Sequence, residues 1–177
     1  MQKLTEFEGL FHAHHASVFH FLRRLLPNAE DVEDCLQETF LRFWRSWSEY
    51  NERGLVRAYL FKIARNLVID HLRHHRPERD RRTSMAEVSS VLEARPDSEG
   101  SCEQKELLQM VREKVQQLPF SQRTTFLLFR YHGMSYQEIA EIQGISVKTV
   151  DSRLYRAMKW LGRHLNGHPA RKSEGQM

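Results

Sequence analysis

Lys148, Asp151, Ser152, Arg153, Tyr155 and Arg156 crowd into nine residues of the sequence "VKTVDSRLYRAMKWL". Lys, Ser and Asp side chains can donate to or accept from base edges. Arginines on the flanks can neutralise phosphates. A second set, Lys62, Arg65, Asn66, Asp70 and Arg73, has the same make-up. There the cations suit phosphates, Asn66 suits a base edge, and Asp70 can accept from a base amino group. A third set has the opposite sign. Residues 30–38 hold five acids (Glu30, Asp31, Glu33, Asp34 and Glu38) and no Lys or Arg. Such a face steers a basic protein partner. No nucleophile–base pair, phosphate loop or metal cluster accompanies these sets, so the chemistry is binding and the chain reads as a non-enzyme needing no cofactor.

The elements that must carry these residues are helices. Val150, Leu154, Ala157 and Leu161 recur at i, i+4, i+7 and i+11, a buried stripe opposite Lys148, Ser152, Tyr155 and Lys159. Ser146 is the N-cap expected before that helix. Gly144 supplies the left-handed residue that ends the helix preceding it, and Ser135 with Glu138 makes that helix's capping box. Two amphipathic helices around a short Gly-containing turn form a helix-turn-helix.

Upstream, Phe7, Leu10, Phe11, Val18, Phe21 and Leu25 predict a helix over 5–26, ended before Pro27. Asn28 is the expected cap of a helix whose buried stripe is Val32, Leu36, Phe40, Phe43 and Trp47. A third helix over 56–75 turns Leu60, Ala64, Leu67, Val68 and Leu72 inward, and Lys62, Asn66, Ile69 and Arg73 outward. Residues 77–102 are rich in Pro, Ser and charge without sustained periodicity, which predicts a linker. Helices are expected again over 103–118 and 122–131, then the helix-turn-helix, then a fraying tail. The organisation is all-α, with no strand alternation. Its three-helix domain spans 1–77, the flexible linker 78–102, a four-helix domain 103–165 and a disordered tail 166–177.

The chain has 177 residues, 40% hydrophobic and 28% charged, with a net charge of +4 and a pI near 9.2. That excess is small; its placement matters more. Residues 57–82 carry eight Lys/Arg against three acids, and 148–172 seven against one, so each domain has a basic surface. Two cysteines, Cys35 and Cys102, are too few for a disulfide scaffold. No signal peptide and no run of about 18 apolar residues is visible, which points to the cytoplasm and to no direct membrane insertion. His71, His74 and His75, and likewise His12 and His15, have helical spacing suited to metal, yet no acid or Cys completes either set by local spacing. The expected metal set is therefore empty.

"AEDVEDCLQETFLRFWR", then "RAYLFKIARNLVIDHLRHHRP", then "MSYQEIAEIQGISVKTVDSRLYRAMKWL" together resemble the extracytoplasmic-function (ECF) class of bacterial RNA polymerase sigma factors. The resemblance covers roughly 6–77 and 103–164. It implies a region 2 that reads and helps melt the −10 promoter element and a region 4 that reads the −35 element. Core-polymerase docking would fall on Asp34, Gln37, Glu38 and Arg42, against a coiled coil of the largest polymerase subunit. Contact with −10 DNA would fall on Arg57, Tyr59, Lys62, Arg65, Asn66, Asp70 and Arg73, with the loop 50–56 capturing a flipped base. Tyr59 and Phe61 are equally suited to core packing. Contact with −35 DNA would fall on Val147, Lys148, Asp151, Ser152, Arg153, Tyr155 and Arg156. Asp151 departs from the commonest pattern, in which that position is basic or small, and this bears on the sequence recognised. The implied partners are core RNA polymerase, promoter DNA and an anti-sigma factor, often membrane-anchored in the family. The competing reading is a stand-alone helix-turn-helix regulator with an N-terminal sensing bundle. It would have no need of an acidic docking helix beside a second basic surface.

Overall fold

The computed structural model describes residues 2–47, 56–74 and 102–165, and of these residues 2, 3 and 102–105 by backbone alone. Of the loop 50–56 and the linker 78–102 expected from sequence, all but Val56, which begins α3, and Cys102, which begins α4, lie outside the described residues, as does the tail 166–177. Those described form helices and turns, with no strand among them. The order is α1 (Gln2–Arg23), α2 (Ala29–Ser46), α3 (Val56–His74), α4 (Cys102–Gln116), α5 (Phe120–Arg130), α6 (Tyr136–Gln143) and α7 (Val147–Leu165).

Helices α1, α2 and α3 pack pairwise into one bundle. Its interior is Phe21 and Leu22 from α1, Val32, Phe40 and Phe43 from α2, and Leu60, Phe61, Ala64 and Val68 from α3. Burying each large apolar side chain contributes roughly 1.5–3 kcal/mol. The α1 helix ends earlier than its periodicity suggests. Arg24 and Leu25 bond back to the Phe21 and Leu22 carbonyls in a tightened turn, while Leu25 and Leu26 stay buried ahead of Pro27. Proline disfavours helical geometry in the residue before it, so the chain unwinds there without giving up its core leucines. Asn28 occupies the N-cap of α2 with extended backbone (φ −96°, ψ 141°), but its side chain makes no cap bond. Its Nδ2 donates instead to Asp31 Oδ2 at 3.0 Å.

The second bundle joins α5 to α6 and α7, α6 to α7, and α4 to α7. Here the expected punctuation is present. Ser135 Oγ accepts from the Glu138 amide, and the Glu138 carboxylate accepts from the Ser135 amide at 2.8 Å, which is the capping box. Gly144 sits in the left-handed region at φ 63°. Around it the Ile145 amide reaches the Ala140 carbonyl and the Gly144 amide reaches Glu141, the double bond of a Schellman end. Ser146 Oγ accepts from the Thr149 amide at 3.2 Å and so caps α7. The two bundles also touch. Helix α3 packs against α6, a contact that periodicity in either helix does not announce.

Candidate nucleic-acid interface and docking face

Helix α7 buries Val150, Leu154, Ala157 and Leu161 and nothing else. That single narrow stripe leaves Val147, Lys148, Asp151, Tyr155 and Arg156 exposed on its remaining circumference. Ser152 is half-buried and its hydroxyl donates to the Lys148 carbonyl at 3.0 Å, which commits the proton but leaves acceptor lone pairs. Lys159 Nζ lies 5.5 Å from the Tyr155 ring centre, holding that ring in a cation–π contact.

Arg153 is placed differently from its neighbours. Its guanidinium donates to Gln143 Oε1. Gln143 is buried, and its Nε2 donates to Thr125 Oγ1 at 2.9 Å; Thr125 is anchored on the Ser121 carbonyl at 2.7 Å. One polar chain therefore runs from α5 through α6 to α7 and fixes the angle between the two helices of the helix-turn-helix. Burial of polar groups is tolerated here because each has a partner. Nothing in the hydrophobic pattern signals this network; a Gln at the last turn of α6 is its only trace in the sequence.

Helix α3 splits its expected set. Lys62, Asn66, Asp70 and Arg73 are exposed along one side, and Arg73 approaches Asp70 at 3.8 Å. Arg57, Tyr59 and Arg65 are not with them. Tyr59 is half-buried, its ring 6.2 Å from that of Phe43. Arg57 donates to the His132 carbonyl in the turn between α5 and α6. Arg65 is half-buried with its Nε hydrogen unpartnered, and its pKa is lowered by burial and then by the Arg153 guanidinium. The side of α3 that carries Arg57, Phe61 and Arg65 thus faces the second bundle.

On α2, Asp34, Gln37 and Arg42 are exposed and Glu38 half-exposed. Arg42 Nε donates to Glu38 Oε1 at 2.7 Å, and this bond holds the Glu38 carboxyl below its ordinary range. Leu41 and Trp44 are also exposed beside this face, at 48% and 41%. They add an apolar centre that reading the charges alone missed. Cys35 lies on the buried side of the same helix, its thiol pushed up to about 11 by burial and then by Asp31 and Asp34, which disfavours the thiolate. His71 Nε2 pairs with Asp31 Oδ2 at 3.2 Å between α3 and α2. Among the described residues no three His, Cys, Asp or Glu side chains gather as a metal site. Nor is any helix among them long and apolar enough to cross a membrane.

The family model for Sigma-70 region 2 matches residues 10–78, and that for Sigma-70 region 4 matches 108–161. RNA polymerase sigma factor CarQ of Myxococcus xanthus is 33% identical over 155 residues, covering 88% of this chain and 86% of that protein. ECF RNA polymerase sigma factor SigL of Mycobacterium tuberculosis is 31% identical over 154 residues, covering 86% and 85%. The chain belongs to the ECF sigma factors. Among solved structures, the sigma factor RpoE of Bartonella quintana, in complex with the anti-sigma factor NepR, shares the fold of this sigma factor. The TM-score is 0.76 at 24% identity, over 92% of this chain and 98% of that one. The region 2 match removes the alternative of a sensing bundle, because the first three helices are sigma region 2.

Proposed function

We propose that this ECF sigma factor divides its work among three faces. The exposed side of α3, with Lys62, Asn66, Asp70 and Arg73, contacts the −10 element, joined by Arg57 and Arg65 when the side they share is free, and by the half-buried Tyr59 beside Phe43. The exposed side of α7, with Val147, Lys148, Asp151, Ser152, Tyr155 and Arg156, enters the major groove of the −35 element, while Arg153 holds the helix at its working angle. Asp34, Gln37, Glu38 and Arg42 dock core polymerase, with Leu41 between them as the apolar contact.

The observation that carries this reading is the placement of charge. Both helices keep exposed cations on surfaces that no helix covers, whereas α2 presents acids beside an exposed leucine. Phosphate contacts position a protein on DNA and base contacts specify the sequence. Accordingly Lys148 and Ser152 set preference, and Arg156 sets affinity. The chain works in the cytoplasm, where polymerase and promoter DNA are. An anti-sigma protein is its natural restraint, as in the complexes of RpoE with NepR and of CnrH with CnrY. Run-off transcription with purified core polymerase on a library of promoter variants tests the reading. The expected result is sigma-dependent transcripts from a subset sharing one −35 and one −10 sequence. Equal transcription with and without the chain would refute it.

A further inference from the structure

The α5–α6 turn is bound to the first bundle more closely than a chance contact between two domains requires. The His132 ring lies edge-on between Phe61, at 4.7 Å, and Phe21, at 5.7 Å. Its Nε2 is buried without a partner. Arg57 donates to the carbonyl of the same residue. The Arg24 guanidinium covers the neighbouring Tyr131 ring at 4.4 Å. Behind it, Gln116 Nε2 reaches the Arg24 carbonyl at 3.4 Å, and Gln116 in turn takes two bonds from the buried Arg123 at 3.1 and 2.9 Å. Helices α1 and α3 of the first bundle thus enclose one histidine of the α5–α6 turn, while α4 bonds to the chain just after α1.

We propose that this turn is a latch: neutral His132, seated between Phe21 and Phe61, holds the free chain closed with α6 on α3, and a positive charge on that ring opens it. The consequence for transcription rests on the promoter reading above. Elements named −35 and −10 stand about 25 base pairs apart, or about 85 Å of duplex axis. A folded chain of 177 residues has a radius of gyration of only about 16 Å. Bundles in direct contact cannot occupy both elements at once. Residues 75–101 could span at most about 90 Å fully extended, enough once the latch is released. Closure also commits Arg57 to a protein carbonyl, so the −10 set is complete only in the open chain.

The charges around the latch set its direction. Facing His132 are His20 from α1, Arg24 from the turn just after α1, and Arg57 from α3; Arg57 also lies near His14 of α1 and Glu138 of α6. The net surroundings are cationic. Burial, then Arg24, Arg57 and His20, lower the His132 pKa from its ordinary 6.5 to about 4. A group whose pKa is depressed on closure favours closure above 6.5 and loses that contribution as pH falls toward 4. Between pH 8 and pH 5 the ratio of open to closed chain should rise about thirtyfold.

Small-angle scattering of the full free chain at pH 8 and pH 5, with helicity followed by circular dichroism, tests this. The wild type should be compact at pH 8 and expand at pH 5 with its helicity kept. His132→Phe preserves the ring and removes the proton, so it should stay compact at both. His132→Lys should be expanded at pH 8, which keeps the test independent of acid. An expanded wild type at pH 8, an unchanged wild type at pH 5, acid expansion of His132→Phe equal to wild type, or a compact His132→Lys would each overturn the latch. The measurement contains no polymerase or promoter, so its failure leaves the promoter reading standing. Failure of run-off transcription with the scattering results intact would strike the promoter reading alone.

Discussion

Helices α3 and α7 have equal length, 19 residues each, and both carry a basic face, but they are buried in different ways. Helix α7 buries four residues in one stripe and leaves Val147, Lys148, Asp151, Tyr155 and Arg156 exposed. Helix α3 buries eight, Val56, Ala58, Leu60, Phe61, Ile63, Ala64, Leu67 and Val68, which no single stripe contains. A helix with one partner advertises it by periodicity. A helix with two partners has its second face written in residues, such as Phe61 and Arg65, that suit a core and a binding surface equally well. The proposed binding face of α7 therefore stays open to solvent, whereas part of the proposed face of α3 is covered by the other bundle.

The sharpest way to break that comparison is to remove the residue both bundles share. Phe61→Ala should cost about 3–5 kcal/mol in urea unfolding, the usual loss for a fully buried phenylalanine. It should also expand the free chain at pH 8, since His132 loses its nearer ring. Leu154→Ala, in the α7 stripe, should destabilise by about 2–5 kcal/mol without that expansion. Equal expansion by both variants would mean that the α3–α6 contact depends on general stability and not on the Phe61 face.

Base readout comes next. Lys148→Ala should cost about 1–3 kcal/mol at one −35 position and relax preference there. Ser152→Ala should do less, because the hydroxyl proton is already given to the Lys148 carbonyl. Arg156→Ala should weaken all promoters alike and lower the salt slope by about one. Transcription from a promoter library at two salt concentrations separates these outcomes. A shift in preference from Arg156→Ala alone would mean that α7 is rotated relative to the groove.

The proposed docking face of α2 gives a smaller but cleaner contrast, since it lies apart from both proposed DNA faces. Glu38→Lys should weaken co-purification with core polymerase about tenfold, equivalent to about 1.4 kcal/mol, with helicity unchanged. The new lysine would also stand against Arg42, which now bonds to Glu38. Undiminished binding would remove Glu38 from the docking face.

What could be read from the sequence divides along the same line. The α7 stripe, the Ser135–Glu138 box, Gly144 and Ser146 all stand as their spacing implies, because each is local: a cap or a turn is decided within four residues. The α2 stripe from Val32 to Phe43 and the outward placement of Lys62, Asn66 and Arg73 follow from periodicity too, whereas Trp47 falls just past the end of α2 and Ile69, expected outward, is half-buried against the core. What could not be read involves partners distant in sequence. Arg57 and Arg65 look like phosphate ligands by type, yet Arg57 bonds to a carbonyl 75 residues away and Arg65 lies near Arg153. His132 stands in "YHGMS", a turn by composition, and nothing in its neighbours marks it as a core residue of another domain. Even the local rule failed once, at Asn28, where a nearby carboxylate outbid the backbone amides for its side chain.

The smallest effect tests whether α6, which sits between the two bundles, is held by its own cap or by the α3 contact. Ser135→Ala removes the hydroxyl's bonds, one accepted from the Glu138 amide and one given to the Glu138 carboxylate, but keeps the Ser135 amide's bond to that carboxylate, and should cost about 1 kcal/mol. The Glu138 carboxyl is held below its ordinary 4.5 by the Ser135 amide first and the Ser135 hydroxyl second. A carboxylate with a depressed pKa stabilises the fold above the ordinary value and loses that contribution as pH falls through the lower one. Only the hydroxyl's share of that shift is lost in Ser135→Ala, so the deficit relative to wild type should be full at pH 7 and shrink in part as pH drops below 4.5, leaving the contribution of the Glu138 amide's bond to the serine oxygen. At those pH values His132 is already driving the latch open in both proteins, so α6 has lost its outside support in each. If the deficit persists undiminished in acid, the cap acts through the serine oxygen alone. If there is no deficit at pH 7, α3 holds α6 in place without help from its cap, and the second bundle depends on the first more than its local signals suggest.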